Sequence, residues 1–234
     1  MPDIESPAAH VAAAPTQQEA APFLSVRNLA RRFGGIRALD GISLEIPQGS
    51  IFGIIGPNGA GKTTLLNVLS GLSQPSSGEI WFRGQRIDGL PAHVIAGKGI
   101  TRTYQNLKLF KTLTAQENVI IGQHLAGQST IGGTLIFSPE SRREEQERAR
   151  HADALLATVG MAGKGKVRAD ALPYGDQRRL EIARALGSDP KLVLLDEPAA
   201  GMNQAEIEQL AALLRTLPNR GQTLLLIEHH VGLV

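Results

Sequence analysis

One stretch limits the folds open to this chain more than any other. Residues 50–69, SIFGIIGPNGAGKTTLLNVL, pass from an apolar run through a glycine-rich loop into an amphipathic pattern. The run 50–56 predicts a buried strand, and Leu65, Leu66, Leu69 and Leu72 mark one face of a helix. Between them Gly56, Pro57, Asn58, Gly59, Ala60, Gly61, Lys62, Thr63 and Thr64 match G-x-x-x-x-G-K-[ST] in full. Glycines at these positions let several backbone N–H groups converge on one anion, and the helix start adds partial positive charge. Lys62 can then reach β- and γ-phosphates, and the Thr63 hydroxyl can ligate Mg²⁺. The bland alternative is a glycine-rich turn with an exposed lysine, and the strand and helix flanks argue against it.

Two further apolar runs, KLVLLDE (191–197) and TLLLIEH (223–229), resemble 50–56 in length and bounds. Such runs suit central parallel strands covered on both faces, and the helical patterns between them predict an α/β sheet. ISLEI (42–46) and EIWFRGQRI (79–87) alternate instead, which predicts an antiparallel lobe near the N-terminus. Residues 138–160 read as a helix with Ser138 as cap, Pro139 in the first turn and Gly160 as stop. Its RREEQERAR portion reads as a solvated face.

The strand ends carry candidate chemistry. Asp196, ending a buried strand beside the phosphate loop, can hold Mg²⁺ with its water shell. Glu197 is a candidate general base for an attacking water. His229 or His230 could donate a hydrogen bond to a γ-phosphate, although a strand-end histidine read alone is more often merely solvated.

Composition excludes more than it selects. The absence of cysteine removes disulfides, thiolate catalysis and Cys-bound zinc. A net charge of +2, from 24 basic and 22 acidic side chains, gives no argument for a nucleic-acid partner. Residues 118–139 lack charged side chains but hold too many glycines and polar residues for a spanning helix. Residues 1–22 are rich in Ala and Pro and lead with Asp3 and Glu5, so a disordered tail is expected rather than a signal peptide.

RRFGG (31–35), TYQNLKLF (103–110), LPYGDQRRLEIARAL (172–186), LDEPAAGMN (195–203) and LLIEHH (225–230) complete the pattern. With them the chain resembles an ABC-transporter ATP-binding subunit over residues 23–234, most like the ATPases of branched-chain amino acid uptake systems. An insertion at 123–150 falls where that group carries one. The resemblance implies an α/β P-loop NTPase of ABC type: a mixed sheet core, an N-terminal antiparallel β lobe and a helical subdomain at about 106–188.

It also implies roles. Phe33 stacks on adenine, with simple core packing as the alternative reading of the same residue. Gln105 contacts the metal site and relays to membrane subunits; His229 is the switch histidine, with His230 where aspartate is usual. Tyr174, Gly175 and Asp176 belong to the signature that closes over ATP held by a second subunit. Pro173 removes a hydroxyl from that signature, and the Asp176 carboxylate is expected to cap the following helix or pair with Arg178 or Arg179. Asn203 stands where the family usually has aspartate, and the family normally continues past Val234, so a truncated end is expected.

The implied ligands are ATP and Mg²⁺. The implied partners are a second ATPase subunit, in a homo- or heterodimer, and transmembrane permease subunits, with no nucleic acid and no membrane span. The implied place is peripheral, on the cytoplasmic face of the cell membrane. The alternative solute is another small polar one such as urea. A soluble non-transport ATPase of this family would usually carry two cassettes or a long coiled coil, and residues 65–171 hold no sustained heptads.

Overall fold

The computed structural model describes residues 22–124 and 139–228. The expected tail and the centre of the 123–150 insertion lie outside them, as do His229 and His230. The chain opens with β1 (Leu24–Phe33), β2 (Ile36–Ile46) and β3 (Ile51–Ile55), followed by α1 (Lys62–Leu69). β4 (Ser77–Phe82), β5 (Gln85–Arg86), α2 (Ala92–Gly97) and β6 (Ile100–Arg102) come next. Three helices follow: α3 (Ala115–His124), α4 (Pro139–Thr158) and α5 (Tyr174–Leu186). β7 (Leu192–Asp196), α6 (Gln204–Thr216) and β8 (Thr223–Glu228) complete the described chain.

The antiparallel lobe is a sheet in the order β2-β1-β4-β5, so β1 is one of its central strands. Sequence patterning passed over β1, for a reason visible in its register. Asn28 takes a left-handed φ of 48°, and pairing with β2 shifts between Val26 and Leu29. That irregularity breaks the period-2 alternation by which a strand is read.

The second sheet is parallel, in the order β3-β8-β7-β6. Every residue of β7 and β8 is buried, because alternate side chains serve two separate cores. Val193, Leu195, Leu224 and Leu226 face one cluster that includes Leu180, Ile182 and Leu210 from α5 and α6. Leu192, Leu194, Leu225 and Ile227 face another, with Leu65, Leu66 and Leu69 of α1 and Leu24 and Leu29 of β1. A strand covered on both faces must be apolar at nearly every position, which is why these runs were legible. β6 has three residues, too few for any pattern to show.

Register then sets the site. Ile55 pairs with Glu228, and Asp196 with Ile227, so β3, β7 and β8 end together. Their carboxyl ends hold residues 56–64, Asp196–Glu197 and the approach to His229 along one sheet edge, where ligands of open α/β sheets bind. Among the described residues no helix is long and apolar enough to cross a membrane.

Candidate nucleotide site

The loop between β3 and α1 is shaped by its glycines. Gly59 and Gly61 have φ of 82° and 84°, and a Cβ on Gly61 would overlap the Ala38 carbonyl oxygen. Gly61 caps α1, whose first turn contains no acidic residue, so nothing there opposes a bound anion. Lys62 is 9% exposed and donates from Nζ to the carbonyls of Gly56 (2.6 Å) and Pro57 (2.9 Å). An ammonium has three N–H donors, and these bonds hold its charge at the loop. Thr63 and the loop residues Pro57, Asn58, Gly59 and Ala60 are solvent-accessible, and Thr64 is half-buried.

Asp196 is buried, and its two oxygens differ. Oδ2 accepts from Arg102 Nη2 at 2.8 Å, and Arg102 Nη1 reaches back to α1 at Asn67 Oδ1 (2.7 Å) and Ser70 Oγ (3.3 Å). Oδ1 is buried without a hydrogen-bond partner. An orphaned buried carboxylate oxygen is costly unless something else binds it, and a divalent cation fits that vacancy in hydrogen bonding. Among the described residues no cluster of three or more His, Asp or Glu could hold a metal alone. That donor set suits Mg²⁺, which takes few protein ligands and completes its shell with phosphates and water.

Glu197 follows in a left-handed conformation, φ 49°, which costs a non-glycine residue about 1–3 kcal/mol. It is held there by its N–H to Ile227 O (3.0 Å) and by Ala200 N–H to its carbonyl (3.1 Å). The turned backbone lets Gln105 Nε2 donate to Glu197 Oε2 at 3.0 Å. Adjacent carboxylates thus face different partners, a buried arginine and a solvent-side amide.

Phe33 is 47% exposed, so it is not core packing; the Arg31 guanidinium lies 4.4 Å over its ring. The turn 172–176 opens α5, with Pro173 in the cap position and no side-chain cap bond. Tyr174 donates its hydroxyl to Ala200 O at 2.9 Å. Gly175 is buried, and a Cβ there would stand 2.5 Å from Glu206 Oε1. Of the alternatives expected for Asp176, the pairing with Arg179 is the one found; the carboxylate neither caps α5 nor meets Arg178. It pairs with Lys164 (2.5 Å) and Arg179 (3.7 Å), because Arg178 is turned inward toward Tyr104 and Gln105. Asn203 caps α6, its Oδ1 accepting from Glu206 N (3.0 Å) while Glu206 accepts from Asn203 N (2.9 Å). Aspartate and asparagine cap equally well, which makes that departure structurally neutral.

Arg102, Arg178 and Glu181 were not anticipated. Each has a side chain no more than 5% exposed, and a charged letter in a sequence ordinarily means an exposed side chain.

Strand, glycine loop and helix, with an acidic strand end beside them, define a P-loop nucleoside-triphosphate-binding domain. The sequence profile described as ABC transporter matches residues 39–200. The chain is 44% identical over 214 residues to the high-affinity branched-chain amino acid transport ATP-binding protein BraF of Pseudomonas aeruginosa, covering 91% of this chain and 84% of that protein. It is 42% identical over the same length to LivG of Escherichia coli K12, which bears the same description. Among solved structures, the ADP conformation of MJ1267, an ATP-binding cassette of an ABC transporter, superposes with a TM-score of 0.79 at 30% identity, covering 92% and 84% of the two chains. The dimeric cassette MJ0796 gives 0.75 at 26% identity, covering 90% and 89%. The chain belongs to the ABC transporter family and is one of its ATP-hydrolysing cassettes.

Proposed function

We propose that this chain powers import of branched-chain amino acids, as one half of an ATPase pair bound to transmembrane permease subunits on the cytoplasmic face of the membrane. The names of BraF and LivG support the solute. The observation that carries the chemistry is the unequal treatment of Asp196 and Glu197, one oxygen of the first buried without a hydrogen-bond partner and one of the second accepting from Gln105.

In this reading the amides of residues 56–64 and Lys62 hold the β- and γ-phosphates, and Phe33 stacks on adenine. Thr63, Gln105 and Asp196 hold Mg²⁺, which would neutralise charge developing on the phosphates. Glu197 orients the attacking water and takes its proton as the water oxygen bonds to the γ-phosphorus and the bond to the β-phosphate oxygen breaks. Tyr174, Gly175 and Asp176 present first-turn amides of α5 to ATP bound by the second subunit, and His229 contacts the γ-phosphate. Residues 106–188 form the helical subdomain. A groove of about 510 Å³, lined by apolar Leu72, Phe110 and Ile121 and basic Lys108 and Arg184 among others, would suit a permease segment.

Glu197→Gln tests the assignment. It should retain Mg-ATP binding and lose turnover by about 10²–10⁴-fold, the usual worth of a general base. Titration and phosphate release measure the two quantities, and near-normal hydrolysis would remove Glu197 from the role. Reconstitution with the permease subunits, comparing leucine with urea as the transported solute, tests the substrate.

A further inference from the structure

Residues 103–110 carry Gln105 from β6 toward Glu197 without joining a helix or strand. A segment of this kind has backbone donors and acceptors but no ladder to satisfy them. Here one helix supplies much of what a ladder would. Arg178 of α5 donates from Nη1 to Tyr104 O (3.0 Å) and from Nη2 to Gln105 O (2.6 Å). Glu181, nearly one turn further on, accepts from Tyr104 N and Lys108 N, both at 3.4 Å. Their side chains are 4% and 2% exposed and lie 3.4 Å apart, and Arg184 adds a bond to Lys108 O.

The same guanidinium reaches the other side of the site. Arg178 Nε donates to the Tyr174 hydroxyl at 3.0 Å, and that hydroxyl donates to Ala200 O. One side chain therefore touches the 172–176 turn directly, the Gln105 segment directly, and the loop after Glu197 through Tyr174. Buried ion pairs add little net stability, but a guanidinium fork on two successive carbonyls fixes geometry.

We propose that the buried Arg178–Glu181 pair is a positioning clamp that makes α5 and the Gln105 segment move as one body. Displacement of the 172–176 turn then reaches Gln105, and through it Glu197, within the same subunit. The kinetic consequence rests on the roles given above for Gln105 and Glu197; the mechanical one does not.

The test uses the full chain with Arg178→Met and Glu181→Gln. Amide hydrogen exchange of Tyr104 and Lys108 should quicken by at least about tenfold, while the amides of β7 keep their protection. Unchanged exchange in a folded variant overturns the clamp, whatever the protein hydrolyses. In the kinetic arm kcat should fall while KM for ATP stays within about twofold, since residues 56–64 are untouched. Adding Gln105→Ala to Arg178→Met should cost no more than about a further twofold, because both changes remove one function. Independent, multiplicative losses overturn the proposal. Arg178→Lys should not rescue, since an ammonium cannot fork two carbonyls, and full rescue would mean charge matters and geometry does not. If Arg178→Met does not fold, Glu181→Gln carries the same cycle. Failure of both to fold would make the pair a core element and overturn the clamp.

Discussion

In residues 56–64 the chain shapes itself. Gly59 and Gly61 supply left-handed backbone, Ala60 N–H closes on Pro57 O at 3.3 Å, and Lys62 folds onto Gly56 and Pro57. In residues 172–176 the shape comes from elsewhere. Tyr174 is held by Ala200, Gly175 is packed against Glu206, and Asp176 is held by Lys164 and Arg179. Both segments start a helix with free first-turn amides, but the first is shaped by its own backbone and the second by partners outside it. In the second, Asp176 is accommodated because Lys164 and Arg179 pair with its charge, while Pro173 leaves the turn without a hydroxyl donor. A motif built on its own backbone must keep its letters, whereas one held by tertiary contacts can change them.

The largest expected effect breaks the self-contained loop. Lys62→Ala should weaken ATP binding about 10- to 150-fold, the worth of a charge-assisted hydrogen bond, and stop nearly all hydrolysis. Titration with ATP and phosphate release check it, and wild-type affinity would undo the nucleotide reading.

Gly175→Asp strikes the externally held turn. It should abolish ATP-driven pairing and leave ATP binding by the single subunit nearly intact. The new carboxylate would also meet Glu206, whose Oε1 lies 2.5 Å from the added Cβ, so thermal unfolding should register a separate loss. Size-exclusion with and without Mg-ATP reads the pairing. Normal pairing would make the turn only a helix start.

Pro173→Ser sharpens the comparison in the other direction. A serine in the cap position can accept from the first turn of α5, worth about 1 kcal/mol, and still donate its O–H to a phosphate. The ATP-bound pair in a Glu197→Gln background should tighten by about 1–2 kcal/mol, near tenfold in dissociation constant by sedimentation.

The smallest effect concerns pH. Burial raises the Glu181 carboxyl above its ordinary 4.5, outweighing the Tyr104 N–H and the Arg178 charge that favour ionisation. The folded chain therefore keeps this proton where the unfolded chain has lost it. The associated stability is fully present below 4.5 and is lost as pH rises through the raised folded value. Urea midpoints of wild type relative to Glu181→Gln should fall across that window. A flat difference would mean that the helix holding the second segment does not depend on a buried charge.

The sequence by itself determined the phosphate loop, the buried strands β7 and β8 and the placing of Asp196 and Glu197 at a strand end; it also placed β3, but as a buried central strand, whereas β3 is half-buried at the end of its sheet. Those features are local: glycine spacing, unbroken apolar runs, and a helix face that repeats within a few turns. It also settled α4 almost to its bounds, with Gly160 at a left-handed φ of 75° just past its end, while the expected cap Ser138 lies outside the described residues. Tertiary structure alone decided the rest. β1 hid because a bulge at Asn28 broke its alternation. The exposure of Phe33 excluded core packing, one of two readings that the letters left open. Arg102 meets Asp196 across 94 positions and Gln105 meets Glu197 across 92, so neither bond exists until β6 and β7 lie side by side. Asp176 took Lys164 beside the expected Arg179, because the nearer Arg178 was already engaged with Tyr104 and Gln105. Hydrogen bonds between distant side chains leave no periodicity behind, and a partner is chosen only when packing brings the candidates together.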